Sequence, residues 1–435
     1  MQKDLTELIK NKINRMTKIL ILAGGHDQGA FIEELRCYID DLYVIVLDMN
    51  PNVLAAKLAD KFLPVSTMDL EAVRKVAIDE KVDYIMTACG DQPILTMGIL
   101  SEDLGLPCYL TKQQVLNLTN KKNMKRMMVE NGIPTAKYKS FTSKDEIDDS
   151  GLEYPLIVKP ADSNGSKGVR KIYTKEELRT NIGDAFKYSL TDTIILEEFN
   201  EGEEISCDFY ILDGIAYEIQ KVQSNKFKAN ENVTAIIYQS IIPAPFLTEN
   251  ARQQLNEIAQ KIVKPFGLDN TPLHLQAIVN GDRVRVLEFS ARIGGGAKYL
   301  TIQNSTGFNM LHACMLSMLG EKPEIPIVEH RNKCYSRCHF YTTGGVFKSI
   351  QGLEELIKDS TIDEFIPTKP FGVPCQSASS SGDRIGSIWI TADNYTDLKE
   401  KILKAVNTIK VIDENGNDIL DRSMYMNQVD YSKIS

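Results

Sequence analysis

The residues best suited to chemistry lie in one stretch, residues 287–296, which reads Leu-Glu-Phe-Ser-Ala-Arg-Ile-Gly-Gly-Gly. Apolar and polar residues alternate over residues 283–286 just before it, a pattern that predicts a β-strand. A second apolar run surrounds Gln276, and Asn-Gly-Asp at residues 280–282 predicts the turn between the two runs. We therefore expect a hairpin that brings the amide oxygen of Gln276 close to the carboxylate of Glu288.

The chemistry that this hairpin favours is the binding of a divalent cation together with phosphate groups. Oxygen ligands from neighbouring strands suit Mg²⁺, or Mn²⁺ in its place. Arg292 and the glycine run at residues 294–296 follow directly. Arg292 suits a negatively charged reacting group, and the glycines allow a substrate to approach the backbone closely. The alternative is an ordinary hairpin that ends in a glycine-rich loop, with Arg292 paired to a nearby acid.

A second candidate for phosphate binding is Lys159, which lies at the end of the apolar run 155–160. The run predicts a buried strand, where an unpaired ammonium group would be costly, so we expect Lys159 to contact an anion. In the polar loop that follows, Gly165 and Gly168 allow consecutive N–H groups to point inward as an anion-binding nest. The alternatives are a lysine that reaches solvent along the surface, and a plain hairpin loop.

In their order along the chain, these segments resemble the ATP-grasp superfamily, from about Lys18 to about Val411. The resemblance is closest to its carboxylate–amine ligases, such as the L-amino-acid ligases and the carbamoyl-phosphate-synthetase-like group. It implies an α/β fold with three parts. These are a Rossmann-like N-terminal domain, an ATP-grasp module of two α+β lobes, and a C-terminal α+β lid region.

By this resemblance, separate segments bind the parts of the nucleotide. Lys121 and Lys159 match the two lysines that contact the phosphates of ATP, and residues 165–168 match the mobile glycine-rich lid. Glu197, together with the backbone of residues 198–200, matches the segment that holds adenine. ATP is therefore the implied nucleotide.

The ribose position depends on register within a run of acidic residues. Glu204, two residues after Gly202, matches the glutamate that binds the ribose hydroxyl groups, and Glu203 is the nearby competitor. A run of acids is otherwise typical of a solvated turn. The nucleotide-binding residues that the resemblance implies are Lys121, Lys159, Ser166, Lys167, Gly168, Glu197, Glu198, Asn200 and Glu204.

At the metal site the chain departs from the commonest family pattern, an acidic residue followed by Glu-x-Asn-x-Arg. Glutamine at the first position also occurs in the carbamoyl-phosphate-synthetase-like branch, so Gln276 and Glu288 are the implied metal ligands. Ser290 replaces the usual asparagine, and its hydroxyl group can coordinate the metal or hold a coordinating water. Arg292 is the implied catalytic residue, suited to an acyl phosphate or to the oxyanion formed when it is attacked.

The N-terminal part predicts a doubly wound α/β unit. Residues 18–23 form a buried-strand run, and a second strand at residues 43–47 ends at Asp48. A nicotinamide cofactor with Asp48 on its ribose is the alternative, but the turn at residues 23–29 lacks Gly-x-Gly-x-x-Gly. The resemblance instead makes this unit the domain that precedes an ATP-grasp module.

Helix signals help to divide the rest of the chain. Helices are expected to begin near Asn120, Thr248 and Asn394. Residues 1–16 are charged, with apolar residues at helical spacing, and predict a packing or dimer helix, so a homodimer is compatible with the sequence. The predicted domains are a Rossmann-like domain at 1–117, an ATP-grasp small lobe with the lid at 118–205, a large lobe with the metal site at 206–330, and a C-terminal α+β domain at 331–435.

Composition limits the class of protein. Over 435 residues, 43% hydrophobic and 25% charged residues are ordinary globular values. A net charge of −9 without a long basic run argues against nucleic-acid binding, and the apolar runs are too short to cross a membrane. The 8 cysteines show no disulfide framework, and Cys334, Cys338 and His339 lack zinc-site spacing. We therefore expect a cytoplasmic protein with small-molecule substrates.

We expect an ATP-dependent ligase that forms an amide bond between a small-molecule carboxylate and an amine, with amino acids as the expected substrates, through an acyl phosphate. A ribonucleotide-amine or carbamoyl-phosphate-type ligase, a non-catalytic ATP-binding protein, and an NAD-dependent oxidoreductase are the alternatives. A biotin-carboxylase role is disfavoured, because residues 293–296 are not that family's Gln-Val-Glu-His run. Substrate specificity is expected in residues 224–234 and 331–390. Lys298 and His274 are either core residues or neighbours of the same cavity.

Overall fold

The computed structural model describes residues 16–163, 167–227, 236–325 and 333–426. Within them the chain folds into three main β-sheets with helices packed on their faces. No helix of the described part is both long and apolar enough to cross a membrane. The predicted N-terminal helix, the lid residues 164–166 and most of the predicted specificity loop lie outside the described residues.

The N-terminal sheet is parallel, with the strand order β3-β2-β1-β4. Its central strands are almost entirely apolar, because helices cover both faces of a parallel sheet. The predicted Rossmann-like unit is therefore present. Its elements are β1 (Thr17–Leu22), α1 (His26–Tyr38), β2 (Leu42–Leu47), β3 (Lys61–Leu63), α2 (Leu70–Glu80), β4 (Tyr84–Met86), α3 (Asp91–Leu104) and α4 (Lys112–Thr119).

The next unit is a small antiparallel sheet with the order β5-β8-β6-β7. Its strands bury alternate apolar residues, such as Leu156 and Val158, in a core of their own. The preceding helix begins at the predicted cap, since the Asn120 side chain accepts hydrogen bonds from the first N–H groups. The elements are α5 (Lys121–Glu130), β5 (Tyr138–Thr142), β6 (Leu156–Pro160), β7 (Arg170–Ile172), α6 (Lys175–Lys187) and β8 (Thr193–Glu198).

The largest sheet has eight strands in the described residues and joins the middle of the chain to its C-terminal part. Its order is β13-β12-β9-β10-β11-β14-β19-β17, with antiparallel pairing throughout. Helix α7 covers it with a face of buried apolar residues and begins at the predicted cap Thr248. The middle elements are β9 (Glu203–Leu212), β10 (Ile215–Phe227), β11 (Ile236–Ile242), α7 (Glu249–Phe266), β12 (Thr271–Asn280), β13 (Arg283–Ser290), α8 (Lys298–Thr306) and α9 (Met310–Leu319).

The C-terminal part adds strands to this sheet and forms a second apolar core with β11. Its last long helix starts at the predicted cap, because the Asn394 side chain accepts from the Asp397 N–H group. The elements are β14 (Cys334–Phe340), β15 (Gly345–Phe347), β16 (Ser349–Gln351), α10 (Leu353–Lys358), β17 (Glu364–Pro367), β18 (Val373–Cys375), β19 (Gly386–Ala392), α11 (Tyr395–Thr408), β20 (Lys410–Ile412) and α12 (Ser423–Met426).

Candidate active site

A cleft of about 1170 Å³ lies between the small antiparallel sheet and the edge of the eight-stranded sheet. This volume is slightly larger than that of typical small-molecule sites, which measure roughly 300–1,000 Å³. The described residues that the sequence assigned to nucleotide and metal nearly all contribute to its wall. Those lining it are Lys121, Lys159, Lys167, Gly168, Glu197, Glu198, Asn200, Glu204, Gln276 and Glu288.

The predicted metal ligands lie on one face of the β12–β13 hairpin. Gln276 is directly opposite Glu288, and Ser290 is opposite His274. The Gln276 amide nitrogen donates to Glu204 Oε1 at 3.2 Å, which leaves its amide oxygen available for a cation. Glu288 is partly exposed to the cleft, with one oxygen 3.5 Å from Lys121 Nζ. An amide oxygen and a carboxylate in this arrangement fit Mg²⁺.

Ser290 occupies the third predicted ligand position, and its hydroxyl group is buried without a hydrogen-bond partner among the described residues. It lies next to Asp91, at the start of α3 in the N-terminal domain. Asp91 accepts two parallel hydrogen bonds from Arg292, Nε to Oδ1 and Nη2 to Oδ2, both 2.8 Å long. Burial opposes the charge on Asp91, but Arg292 and Ser290 together hold its pKa well below the usual range.

Sequence reasoning missed Asp91, which fixes the predicted catalytic arginine. The signal was present, because Asp91 follows Gly90 directly after β4, at the carboxyl end of a parallel strand where such folds place ligand groups. Arg292 also donates from Nη1 to the Ile293 carbonyl at 3.0 Å. Three of its five N–H groups are engaged, and two stay available. The structure thus shows the alternative interpretation, in which Arg292 pairs with a nearby acid. Within the described residues, two of the N–H groups of Arg292 are still free to donate to another group.

Lys159 and Glu197 form a buried ion pair that also includes Lys125. Glu197 Oε1 lies 2.5 Å from Lys159 Nζ, and its Oε2 lies 2.6 Å from Lys125 Nζ. Burial opposes the charge of Glu197, but the two ammonium groups lower its pKa to about 2. With two lysines and one carboxylate, the cluster keeps a net positive charge that suits a phosphate group.

These contacts with lysine bear on the predicted role of Glu197 in holding adenine. Both of its carboxylate oxygens contact lysines, so any contact with adenine falls to the backbone that follows β8. Lys125 was not among the predicted site residues, although it lies four residues after Lys121 on the apolar face of α5. The signal in the sequence was a lysine placed among the apolar residues Met124 and Met128. In the structure this lysine is only 1% exposed, as expected of a buried counter-ion.

The remaining predicted nucleotide residues surround the same cleft. Lys121 Nζ donates to the Ser163 carbonyl at 2.8 Å, which joins α5 to the start of the lid. Glu204 Oε2 lies 2.6 Å from Lys226 Nζ. In the lid, Gly168 has φ +73°, and a Cβ there would lie 2.9 Å from Pro160 and Tyr188. Ser166 lies outside the described residues.

Apolar side chains complete the cleft, and sequence reasoning did not identify them. They lie on strands of both sheets and face each other across it, which suits a flat aromatic base. Alternating strand patterns mark such residues as core, so nothing in the sequence separated them from ordinary core positions. The apolar lining residues are Ile157, Ile172, Ile278 and Leu287.

His274 and Lys298, whose roles the sequence left open, share the buried carboxylate of Asp208. His274 Nδ1 lies 2.7 Å from Asp208 Oδ1, and Lys298 Nζ lies 3.3 Å from Asp208 Oδ2. Burial opposes the charge of Asp208, but Lys298 and His274 keep its pKa well below the usual range. His274 also contributes to the small recess between the hairpin and Arg292. These residues therefore lie directly beside the predicted reacting centre.

Asp48, the residue that would bind the ribose of a nicotinamide cofactor, has a different role in the structure. Asp48 accepts a hydrogen bond from the Gly24 N–H group at 2.9 Å and another from Asn50 at 2.8 Å. Its carboxylate therefore supports the turn after β1. The turn in which Gly24 lies also has no space for a side chain, because a Cβ there would lie 2.3 Å from Val53.

Known protein families match two parts of the chain. Residues 152–299 match the ATP-grasp domain, and residues 339–414 match the L-amino acid ligase C-terminal domain 2. The first match contains β6 to β13, and therefore the predicted lid, Glu197, Glu204 and the β12–β13 hairpin with the predicted metal ligands, which we call the metal hairpin. The second lies in the C-terminal part, where β14 and β19 extend the large sheet.

Curated relatives agree with the first match. A carbamoyl phosphate synthase large chain of Arthrobacter is 25% identical over 315 residues, which are 66% of this chain but 27% of that protein. The chain thus spans about a quarter of that relative's length. A phosphoribosylamine–glycine ligase of Lactococcus lactis is 26% identical, over 64% of this chain and 69% of that protein. A D-alanine–D-alanine ligase of Lacticaseibacillus casei is 25% identical over 61% of this chain and 74% of that protein.

Solved structures show the same fold over most of the chain. The L-amino acid ligase of Bacillus licheniformis has a TM-score of 0.75 at 20% identity, covering 92% of this chain and 100% of that one. The phosphoribosylglycinamide synthetase of Anaerococcus prevotii has a TM-score of 0.73 at 19% identity, with the same coverage. With the site geometry, these findings show that residues 152–299 form an ATP-grasp domain and that residues 339–414 match the L-amino acid ligase C-terminal domain 2.

Proposed function

We propose that the protein joins a small-molecule carboxylate to an amine at the expense of ATP, with amino acids as both substrates. The main support is the cleft that Lys121, Lys159, Gln276 and Glu288 line together. Arg292 lines a small recess beside it, whose wall also includes Lys121, Gln276 and Glu288. The matched C-terminal domain and the L-amino acid ligase and D-alanine–D-alanine ligase relatives point to amino acids.

The residues of the cleft divide the work of phosphoryl transfer. Lys121 and Lys159 would bind the phosphates, while Gln276, Glu288 and Ser290 would hold Mg²⁺, which neutralises phosphate charge. A carboxylate oxygen of the first substrate attacks the γ-phosphorus, and the bond from phosphorus to ADP breaks. This step yields an acyl phosphate and ADP.

Arg292 is the residue placed to assist the second step. The amine nitrogen attacks the acyl carbon, the bond to the phosphate oxygen breaks, and phosphate and a proton are released. Asp91 holds the guanidinium group in one orientation, so its two remaining N–H groups can bind the oxyanion that forms at the carbonyl. This positioning is prepared before the reaction and needs little rearrangement during it.

A ribonucleotide-amine ligase is the second candidate. It is favoured by the phosphoribosylamine–glycine ligase relative, 69% of whose length is covered by this chain. A carbamoyl-phosphate-type reaction and a non-catalytic ATP-binding role complete the proposals that the same cleft supports. All four proposed functions require ATP binding. They differ in the acceptor molecule and in whether ATP is turned over.

The decisive experiment is a screen for ADP and phosphate release over a matrix of carboxylates and amines, amino acids first and ribonucleotide amines second. We expect Mg²⁺-dependent release of ADP and phosphate in equal amounts with the amide product. Hydroxylamine added in place of the amine traps an acyl phosphate as a hydroxamate. ATP binding without ADP release for any pair would leave the non-catalytic role, and release only with ribonucleotide amines would replace amino acids as substrates.

The metal site offers an internal control for this screen. Glu288→Gln removes the one carboxylate among the three predicted ligands, so the Mg²⁺ concentration that supports ADP release should rise at least tenfold, or activity should be lost. Glu146→Gln, an exposed glutamate on the small lobe, is the matched control and should titrate like the wild type. A Glu288→Gln variant with wild-type Mg²⁺ dependence would exclude the hairpin as the metal site.

A further inference from the structure

Two buried arginines lie on the far side of the glycine run from the metal hairpin. Arg337 is on β14 and is 2% exposed, and Arg384 immediately precedes β19 and is 8% exposed. Arg337 donates to the Ser387 hydroxyl group at 2.8 and 2.9 Å and to the Ala297 carbonyl at 2.6 Å. We call Arg337 and Arg384 the arginine pair. Neither was assigned a role from the sequence.

No carboxylate of the described residues lies within 4.0 Å of either guanidinium group. The nearest acids are already engaged. Asp27 accepts hydrogen bonds from the N–H groups of Gly296 and Ala297, at 3.1 and 2.8 Å, and Glu364 accepts one from Asn304 at 3.1 Å. Within the described residues, the arginine pair is therefore a concentration of buried positive charge without a carboxylate in direct contact, although the charges of Asp27 and Glu364 act on Arg337 from a greater distance.

Unpartnered polar atoms gather at the same place. Arg384 Nε and His339 Nδ1 are buried and have no hydrogen-bond partner among the described residues. His339 is 4% exposed on β14, and burial together with both arginines keeps its pKa well below the usual range. Burial and the neighbouring Arg384 likewise lower the pKa of Arg337 to about 10. Buried polar groups are normally satisfied, so these atoms mark a place for a ligand.

The arginine pair is connected to the reacting centre through the glycine run. Gly296 has φ +76°, and a Cβ there would lie 2.6 Å from Arg384 Nη1, so the guanidinium group fills the space of a missing side chain. Ala297, whose carbonyl binds Arg337, is five residues after Arg292. Five residues span at most about 17 Å, so one short segment carries Arg292 and contacts both arginines of the pair.

We propose that the arginine pair binds the α-carboxylate of the amine-bearing amino acid, the carboxylate that does not react. This inference rests on the proposed function. The carboxylate that becomes phosphorylated belongs beside Arg292 and the nucleotide phosphates, so a second anion subsite serves the other substrate. Two guanidinium groups match a carboxylate through charge-assisted, bidentate hydrogen bonds. Recognition of this group orients the free amino group toward the acyl carbon.

The test compares free amino acids with their α-amides as acceptors, at a fixed donor and saturating ATP and Mg²⁺. The wild type should prefer the free amino acid in kcat/KM by on the order of 30-fold or more, because the amide lacks the charge that the pair binds. In Arg384→Met this preference should fall to about 1. Arg337→Lys, which keeps a charge but loses the fork, should give an intermediate preference.

The control is Arg36→Met, which removes an exposed arginine paired with Asp60 on the N-terminal domain and should keep the wild-type preference. Thermal unfolding checks the fold. Because Arg384 is a buried charge without a carboxylate, Arg384→Met should not lower the Tm, whereas a structural role would lower it. An acid-over-amide preference that persists in Arg384→Met would overturn the inference, as would a wild type that uses amides as well as acids.

Ligand binding without turnover separates this inference from the proposed function. With a non-hydrolysable ATP analogue and Mg²⁺, free L-amino acids should raise the Tm and their amides should not, and Arg384→Met should abolish the difference. If this holds while no hydroxamate or ADP forms, the ligase proposal fails and the carboxylate subsite stands. If hydroxamate forms but acids and amides stabilise equally, the subsite fails alone. Stabilisation by ribose 5-phosphate and by no amino acid would reassign the pair to a phosphate.

Discussion

At the scale of single residues, buried charges beside the predicted phosphate site share partners. Lys125, Glu197 and Lys159 form a row in which one carboxylate is shared by two ammonium groups. Lys125 also donates to Thr135 Oγ1 at 2.8 Å, and it lies 5.4 Å from the ring centroid of Tyr138. Lys125 is thereby fixed as the structural partner of Glu197, and Lys159 is the lysine of this row that lines the cleft.

The first prediction concerns Lys159. In Lys159→Ala, Glu197 keeps Lys125 as its partner, so the protein should fold while its affinity for an ATP analogue with Mg²⁺ falls at least about tenfold. Titration calorimetry measures the change. Lys139→Ala removes a lysine of the same lobe that pairs with Asp148 on the surface, and it should bind like the wild type. Equal affinities for both variants would show that Lys159 does not contact the phosphates.

The second prediction concerns the pH dependence of stability. Glu197 has its pKa lowered from 4.5 to about 2 in the folded protein. Its stabilising effect is therefore present above the unfolded pKa and is lost as pH falls from about 4.5 toward 2, amounting to about 3 kcal/mol. Glu197→Gln should be destabilised near neutral pH, where it leaves two lysines without a carboxylate. It should also show a smaller loss of stability on acidification, measured by denaturant unfolding from pH 7 to 3.

The third prediction concerns the reacting centre. Arg292→Lys keeps the positive charge but cannot form the two parallel bonds to Asp91 and still present free N–H groups. Turnover should fall by on the order of 10²-fold, while affinity for the ATP analogue should change by less than about threefold. Steady-state kinetics and calorimetry on the same preparation give both values. Parallel losses in turnover and affinity would assign Arg292 a structural role.

At the scale of secondary-structure elements, the metal hairpin is held by helix α7 at its turn. The side chain of Thr248 caps α7, and its hydroxyl group also donates to Asp282 Oδ1 at 2.6 Å. Asn250 Nδ2 donates to the other Asp282 oxygen, and Gln254 Nε2 donates to the Asp282 carbonyl. The helix start thus sets the turn of the strands that carry Gln276 and Glu288.

The fourth prediction concerns this cap. Thr248→Ala removes both the cap and the bond to Asp282, so the free energy of unfolding should fall by about 1–2 kcal/mol. Thr248→Ser keeps the hydroxyl group and should lose much less. Urea unfolding measures the difference. ATP affinity should stay unchanged in both variants, since Thr248 does not line the cleft, and a large loss in Thr248→Ser would show that the methyl group matters more than the cap.

At the scale of the whole molecule, the N-terminal domain closes the reacting end of the ATP-grasp module. Asp91 holds Arg292, and the Tyr109 hydroxyl group donates to the Ala291 carbonyl at 3.0 Å. Asp27, near the start of α1, accepts hydrogen bonds from the N–H groups of Gly296 and Ala297, at the end of the glycine run. The segment that contains the predicted catalytic residue is therefore shaped by side chains more than 180 residues earlier in the chain.

The fifth prediction concerns that closure. Asp27→Asn weakens both bonds to the glycine run by removing a charge, so turnover should fall at least about tenfold while ATP affinity stays within about twofold. Asp79→Asn breaks only a surface pair with Lys75 and is the matched control. Kinetics with saturating ATP and calorimetry provide the two values. An unchanged turnover in Asp27→Asn would show that the loop needs no anchor from the N-terminal domain.

The sequence by itself determined the elements and the order of the reacting groups. Strand alternation and the Asn-Gly-Asp turn predicted the hairpin that pairs Gln276 with Glu288, and cap residues predicted where helices begin at Asn120, Thr248 and Asn394. These features are local, because hydrogen-bond and side-chain preferences within a few residues decide them. The motifs then placed the ATP-grasp fold, which the matched domain confirms.

Only the tertiary structure decided which charges share a partner. Lys125, Asp91, Asp208 and Arg337 lie in ordinary helix and strand positions, Arg384 lies in a loop, and the groups that they meet are far away along the chain. Arg292 meets Asp91 across 201 residues, and no spacing rule connects two such positions. A buried charge acquires its role from the dielectric and the partners that folding supplies, and those exist only once the sheets have packed together.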